Sequence, residues 1–320
     1  MSAYVQHLSY ALGESCETVE EAAAKGRTLS GAALLREAGF ERHHVCPPDE
    51  GPYDLAFRAV QPLQDRLEGT GAIVYSTCIP LNGNIGRESC FQTTRDVKHL
   101  MDFPASHLQA DFGLHQAAVL GLNQQACTSL LGSMRLAGML LADDPAMQQV
   151  LCVTADRFPE GALYEQAYNL ISDGAAACIV GREPRGFRIL GGHALTNGAL
   201  ARADDDETVG SYFSYTHRLI TEAVRKAGLQ MADVDWIVSQ NMNIKAWQIL
   251  SRLLKFDLER VCFPTLPEAG HVISGDNVLN LKRMDESGRL EPGQRLLLVM
   301  SGYGLNWQSV LLEKVAGGLA

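Results

Sequence analysis

The feature that most constrains this chain is an alternation of short apolar, β-rich runs with amphipathic helical patterns, met twice in the same order. Runs at 72–77 (AIVYST), 151–154 (LCVT), 176–180 (AACIV), 236–239 (WIVS), 296–300 (LLLVM) and 309–312 (SVLL) read as buried strands. Between them, 129–142 (SLLGSMRLAGMLLA), 215–227 (YTHRLITEAVRKA) and 278–284 (VLNLKRM) carry helical periodicity. Such alternation predicts an α/β architecture with largely buried sheets. In the first half, AIVYST is followed at a distance by Cys127, a helix, an acidic loop and the strand VLCVTAD. In the second, WIVSQN is followed by His271, a helix, the loop DESGRLEPGQ and the strand RLLLVMSG. The spacing predicts a pseudo-duplicated fold, divided as 1–185 and 186–320, with Cys127 and His271 at equivalent points just ahead of a helix. Packing of the halves would then bring the two helix starts face to face.

Composition removes several classes of function. The chain has 320 residues, 46% hydrophobic and 20% charged, enough for a substantial core. A formal charge of −10, with no Lys/Arg block beside aromatics, offers no footprint for nucleic acid. The opening segment lacks a basic stretch followed by an apolar one, and no run of about 18 apolar residues occurs, so the expectation is a cytoplasmic protein with no membrane partner. The eight cysteines form no C-x-x-C pair and no metal-spaced cluster with histidine, which predicts neither a disulfide framework nor a metal site. Cys152 and Cys178 lie inside strand-like runs, where cysteine acts as a small hydrophobe.

Cys127 is different. In LNQQACTSLLGSMRLAGMLLA a polar stretch gives way abruptly to a long apolar helix, which places the thiol at a helix N-terminus. Unpaired backbone N–H groups and the positive end of the helix dipole favour the thiolate there. A thiolate is both nucleophile and leaving group, as exchange of an acyl group between thioesters requires. Packing of a small side chain in the cap region is the plainer alternative.

Five stretches together resemble β-ketoacyl-acyl-carrier-protein synthase III enzymes of the thiolase-like superfamily, in the right order over nearly the whole chain. FPASHLQADFGLHQAAVLGLNQQACTS is similar to the stretch ending in that family's Ala-Cys-Ala-Gly nucleophile motif, and Ser172-Asp173-Gly174 with the alanines after it resembles the Gly-Asp-Gly-Ala-Gly-Ala turn. AGLQMADVDWIVSQNMNIK is similar to the strand and turn carrying Pro-His-Gln-Ala-Asn, GYGLNWQSVLL to the Gly-rich loop and final strand, and REAGFERHHVCPPDE to an arginine-rich turn. The resemblance implies a five-layered αβαβα fold, a homodimer, and Cys127 as carrier of the acyl group. It also implies a backbone oxyanion site from the Cys127 N–H and the Gly302-Tyr303-Gly304 loop, where glycine permits close approach.

The pattern departs from the family at its Cys-His-Asn trio. Gln240 stands at the family's histidine position and His271 at its asparagine position, so imidazole and amide have changed places. Asn243 matches a second asparagine of that turn, and Lys245 keeps a basic residue near the expected active-site mouth. His271 and Gln240 could donate two hydrogen bonds to an enolate, as decarboxylative condensation needs. Alternatively His271 is a general base for an acceptor hydroxyl, amine or thiol, with Asp276 orienting it if the carboxylate reaches back around the helix start. Asp276 is also a favourable first-turn carboxylate in its own right.

Relatives that bind coenzyme A stack its adenine on a tryptophan, and the matching position here is near Ala33. The missing platform favours an acyl-carrier-protein donor over coenzyme A, with Lys245 and Arg252 as contacts to an acidic carrier. No cofactor beyond the acyl thioester substrate is expected. Phe103, Phe112 and Leu114 lie where relatives reach across the dimer towards the acyl chain, and GALARADDDETVGS reads as a polar surface loop in a segment shorter than usual. Three classes of function follow: an acyltransferase of specialised metabolism, condensing or transferring to O, N or S with a small-molecule or carrier-bound acceptor; a thioester hydrolase of the same fold; or a silent partner subunit of a heterodimer.

Overall fold

Ten strands join into one continuous sheet in a computed structural model that describes residues 2–316 except 168, 203, 204, 303 and 304, and only the backbone of 205–209. The strands are β1 (Tyr4–Leu12), β2 (Thr70–Ser76), β3 (Ala118–Leu122), β4 (Gln149–Asp156), β5 (Gly174–Gly181), β6 (Phe187–Thr196), β7 (Trp236–Val238), β8 (Val261–Cys262), β9 (Arg295–Gly302) and β10 (Asn306–Lys314). Their order across the sheet is β8-β7-β9-β10-β6-β1-β5-β4-β2-β3. Each half therefore runs through the same sequence of neighbours, with β1 to β5 matched by β6 to β10. The pairings agree in sense as well. β1 with β5 and β5 with β4 are antiparallel, as are β6 with β10 and β10 with β9. β4–β2 and β2–β3 are parallel, as are β9–β7 and β7–β8.

Side-chain alternation along these strands sorts the core into layers. Val74, Cys152, Ala176 and Cys178 of the first half and Val238, Leu296, Leu298 and Val310 of the second face a common interior. Two helices fill it, α3 (Ser129–Asp143) with Leu130, Leu131 and Met134, and α6 (Asp276–Glu286) with Val278, Leu279 and Leu281. The opposite face of the first half, with Ile73, Leu151 and Val153, is covered by α1 (Pro52–Val60) and α2 (Pro104–Asp111). That of the second, with Ile237, Leu297 and Leu311, is covered by α4 (Asp205–Lys226) and α5 (Ile244–Leu254). The result is the five-layered αβαβα arrangement, with α3 and α6 in the middle layer.

Some elements differ from the sequence reading for identifiable reasons. β1 carries no regular alternation because its register against β5 shifts at His7, whose φ is 43°. β6 carries the same kind of shift between Ile189 and Gly191. The polar segment read as a surface loop is helical from Asp205 onwards. Among the described residues no helix is long and apolar enough to cross a membrane, and no group of three or more His, Cys, Asp or Glu is placed to hold a metal ion.

Candidate active site

α3 and α6 each begin through one turn of 3-10 helix, at Ala126–Thr128 and Ile273–Gly275. Each turn opens on a non-glycine residue in the left-handed region, Ala126 at φ 47° and Ile273 at φ 48°. The helix starts meet. Ser129 Oγ lies 2.9 Å from Ser274 Oγ, and the Ser274 hydroxyl donates to the Ala126 carbonyl at 3.2 Å. This superposition of turns corrects one expectation: the residue equivalent to Cys127 is Ser274, and His271 stands three residues ahead of it.

His271 is held from both sides of its backbone. Its N–H donates to the Leu170 carbonyl at 2.8 Å, and its carbonyl accepts from the Ser172 N–H at 2.9 Å. The Ser172-Asp173-Gly174 turn of the first half thus fixes the imidazole of the second. The turn is itself anchored: Asp173 accepts from the backbone of Cys46 and Phe158 and from the Tyr164 hydroxyl, each at 2.8 Å.

The left-handed turn at Ile273 swings Asp276 back towards the imidazole. Asp276 Oδ2 sits 2.5 Å from His271 Nδ1 and also accepts from the Asn241 N–H at 2.7 Å, while Oδ1 accepts from the Val272 N–H at 2.6 Å. His271 interacts on its other side with the Cys127 thiol. Burial pulls the imidazole pKa down, but Asp276 and Cys127 outweigh it and push the group up to about 10. Thiol, imidazole and carboxylate touch in that order at the junction of the two halves, with His271 and Asp276 buried and Cys127 half-buried.

Gln240 is buried against the end of β9. Its carboxamide oxygen accepts from the Ser301 N–H at 2.6 Å and the Ser301 hydroxyl at 2.9 Å, leaving its N–H groups as donors. The next residue, Gly302, lies against the nucleophile turn so closely that a Cβ there would stand 3.0 Å from the Cys127 nitrogen. Tyr303 and Gly304 lie outside the described residues.

Other candidates lie elsewhere. Asn243 caps α5, its side-chain oxygen accepting from the Lys245 N–H at 3.1 Å, which occupies the amide in helix capping rather than at the thiol. Lys245 pairs with Glu37 at 2.7 Å on the exposed surface, and Arg252 is exposed on the same helix. Phe112 stacks on Phe57 with ring centroids 5.1 Å apart and Leu114 is buried in the first-half core, whereas Phe103 lines a cleft of about 290 Å³ with Thr77, Leu120 and Leu122.

Two features escape the sequence reading. Cys78, just past the end of β2, has its sulfur 3.6 Å from that of Cys127. The parallel order of β2 and β4 brings their C-terminal ends together near the start of α3, and that topology is the signal that could have found it. A buried asparagine set was also missed: Asn280 donates to Asn241 Oδ1 at 2.9 Å, Asn241 donates to the Gly270 carbonyl at 2.7 Å, and Asn277 ties Val238 to Val299. It holds the strand ends and the segment leading to His271 in register.

A thiol beside an imidazole at the meeting of two pseudo-equivalent helix starts, inside five layers, is the arrangement of a thiolase-like enzyme. Comparison with known proteins agrees. The family profile described as 3-oxoacyl-[acyl-carrier-protein] synthase III matches residues 123–198, and that of its C-terminal part matches 224–314, together more than half of the chain. β-Ketoacyl-[acyl-carrier-protein] synthase III 2 of Deinococcus radiodurans is 25% identical, covering 87% of this chain and 84% of the relative. The Chlamydia caviae synthase III is 27% identical over 89% of each. Among solved structures, ChlB3, titled an acyltransferase, superposes with a TM-score of 0.83 at 18% identity, covering 100% of this chain and 99% of its own. The chain belongs to the β-ketoacyl-acyl-carrier-protein synthase III-like family of the thiolase-like superfamily, a family of transferases.

Proposed function

We propose that this protein is a cytoplasmic acyltransferase of specialised metabolism that loads an acyl group from an acyl-carrier-protein or coenzyme A thioester onto Cys127 and passes it to an oxygen, nitrogen or sulfur nucleophile. The observation that carries this reading is the 2.5 Å contact between His271 Nδ1 and Asp276, with Cys127 on the other side of the ring. In the first step the Cys127 thiolate attacks the donor carbonyl. The donor sulfur leaves and takes the proton of the His271 imidazolium. Loading removes the negative charge beside the ring, so His271 becomes a base, its Nδ1–H held by Asp276. It then takes the proton of the acceptor as the acceptor attacks the thioester, and collapse expels Cys127 as thiolate. The Gln240 N–H groups and the Cys127 N–H are the candidate donors to the developing oxyanions.

Decarboxylative condensation is the second reading, favoured by the Gln240 amide. It needs an imidazole N–H aimed at the extender, whereas once Cys127 is loaded the neutral His271 gives its Nδ1–H to Asp276 and is left with an accepting Nε2. Lys245 and Arg252 are proposed contacts for an acidic carrier. A homodimer through the β3 edge is also proposed: β3 has a neighbour on one side only, and residues 79–103 expose Leu81, Val97, Met101 and Phe103.

The test is intact-mass measurement of the wild type and Cys127→Ala after exposure to carrier- and coenzyme-bound acyl thioesters. A thioester adduct on the wild type only, discharged by added alcohols, amines or thiols without release of CO2, supports acyl transfer. CO2 release from a malonyl extender moves the assignment to condensation, discharge by water alone to a hydrolase, and absence of any adduct to a silent partner subunit.

A further inference from the structure

Cys78 and Cys127 are 49 residues apart in the chain, yet their sulfurs are 3.6 Å apart. Both side chains are half-buried rather than enclosed. Cys78 starts the loop after β2, and its N–H is held by Asp156 at 3.0 Å and 3.1 Å, so the thiol is presented at a fixed place beside the nucleophile. Bringing the sulfurs from 3.6 Å to bonding distance takes a shift of about 1.5 Å, within reach of side-chain rotation in a loop and a helix-start turn. A second cysteine pair gives the contrast. Cys152 and Cys178 face each other across β4 and β5, but both are wholly buried in the central core, where no oxidant arrives.

We propose that Cys78 and Cys127 are a modification site at which a peroxide closes a reversible disulfide, taking the nucleophile out of use and sparing it from irreversible oxidation. The Cys127 thiolate attacks one peroxide oxygen, the O–O bond breaks, and the hydroxide released takes the His271 proton to leave as water. Cys78 then attacks the resulting sulfenic sulfur, the S–O bond breaks, and the departing hydroxide takes the Cys78 proton as a second water. Two thiols are oxidised to one disulfide while one peroxide is reduced to two waters. The Cys127 contact and burial both hold the Cys78 thiol protonated, which assigns the first attack to Cys127. The inference needs only a reactive Cys127 and does not depend on which acceptor takes the acyl group.

The experiment treats the whole protein with hydrogen peroxide, alkylates remaining thiols, digests without reductant and maps peptides by mass. The expected result is a linked peptide joining Cys78 to Cys127, cleaved by dithiothreitol, with acyl loading of Cys127 lost on oxidation and regained on reduction. In Cys78→Ser, Cys127 is expected to take up two or three oxygens and loading does not return. A wild type in which Cys127 gains oxygens while Cys78 is still alkylated, or in which only Cys152 and Cys178 become linked, overturns the proposal. The wild-type map decides even where the variant does not fold. Loading under reducing conditions reads the acyltransferase assignment separately.

Discussion

At the scale of residues, the proposed chemistry rests on two contacts made by one imidazole. Asp276→Asn keeps the shape but replaces an acceptor of three hydrogen bonds with a group that can donate. It is expected to lower acyl-transfer kcat by roughly 10²- to 10⁴-fold with donor KM little changed, as measured by steady-state kinetics. The raised His271 pKa also sets a pH dependence of stability. The folded state holds a proton up to about pH 10 that the unfolded chain releases near the ordinary histidine value. Stability from this proton is therefore complete below about pH 6.5 and lost as pH rises to about 10. Denaturant melts across that window should show the wild type losing more stability than His271→Asn. Cys127 was legible from sequence because a polar-to-apolar switch marks a helix start. Asp276 was legible only as a possibility, since the left-handed turn that swings it onto His271 is invisible when its first residue is isoleucine rather than glycine.

Among the elements, the Ser172-Asp173-Gly174 turn links strand order to the placing of His271. A Cβ at Gly174 would stand 2.4 Å from Val272 Cγ1 and 3.0 Å from the Ala11 carbonyl oxygen, with no room to yield on the backbone side. Gly174→Ala is expected to destabilise the fold by about 1 to 3 kcal/mol, seen as a lower urea midpoint, and to impair acyl loading by displacing the segment that carries His271. The buried strands and α3 could be read from periodicity because they are largely apolar, and α6 because Val278, Leu279, Leu281 and Met284 fall on one face. β1 and β6 could not, since a register shift interrupts each and Gly191-Gly192 dilutes the second. The asparagines of α6 were equally opaque: polar residues on the buried face of a helix make sense only once their partners on β7, on β9 and at Thr265 in the segment before His271 are in place.

For the whole molecule, the open β3 edge and the exposed apolar side chains of residues 79–103 make oligomeric state the property to measure. Light scattering is expected to show the proposed dimer for the wild type and a monomer for Leu81→Asp combined with Phe103→Asp, with the far-ultraviolet spectrum unchanged, since both side chains lie outside the packed core.

The matched turns at the starts of α3 and α6 carry a consequence for how such a catalyst comes to exist. Two identical halves would put a thiol at both places, facing each other with no base between them. Once joined in one chain, the copies are free to specialise. One keeps the thiol, while the other turns the same place into a serine that braces its neighbour and sets an imidazole three residues earlier. Division of labour between two matched halves, rather than addition of new parts, is what makes the site asymmetric.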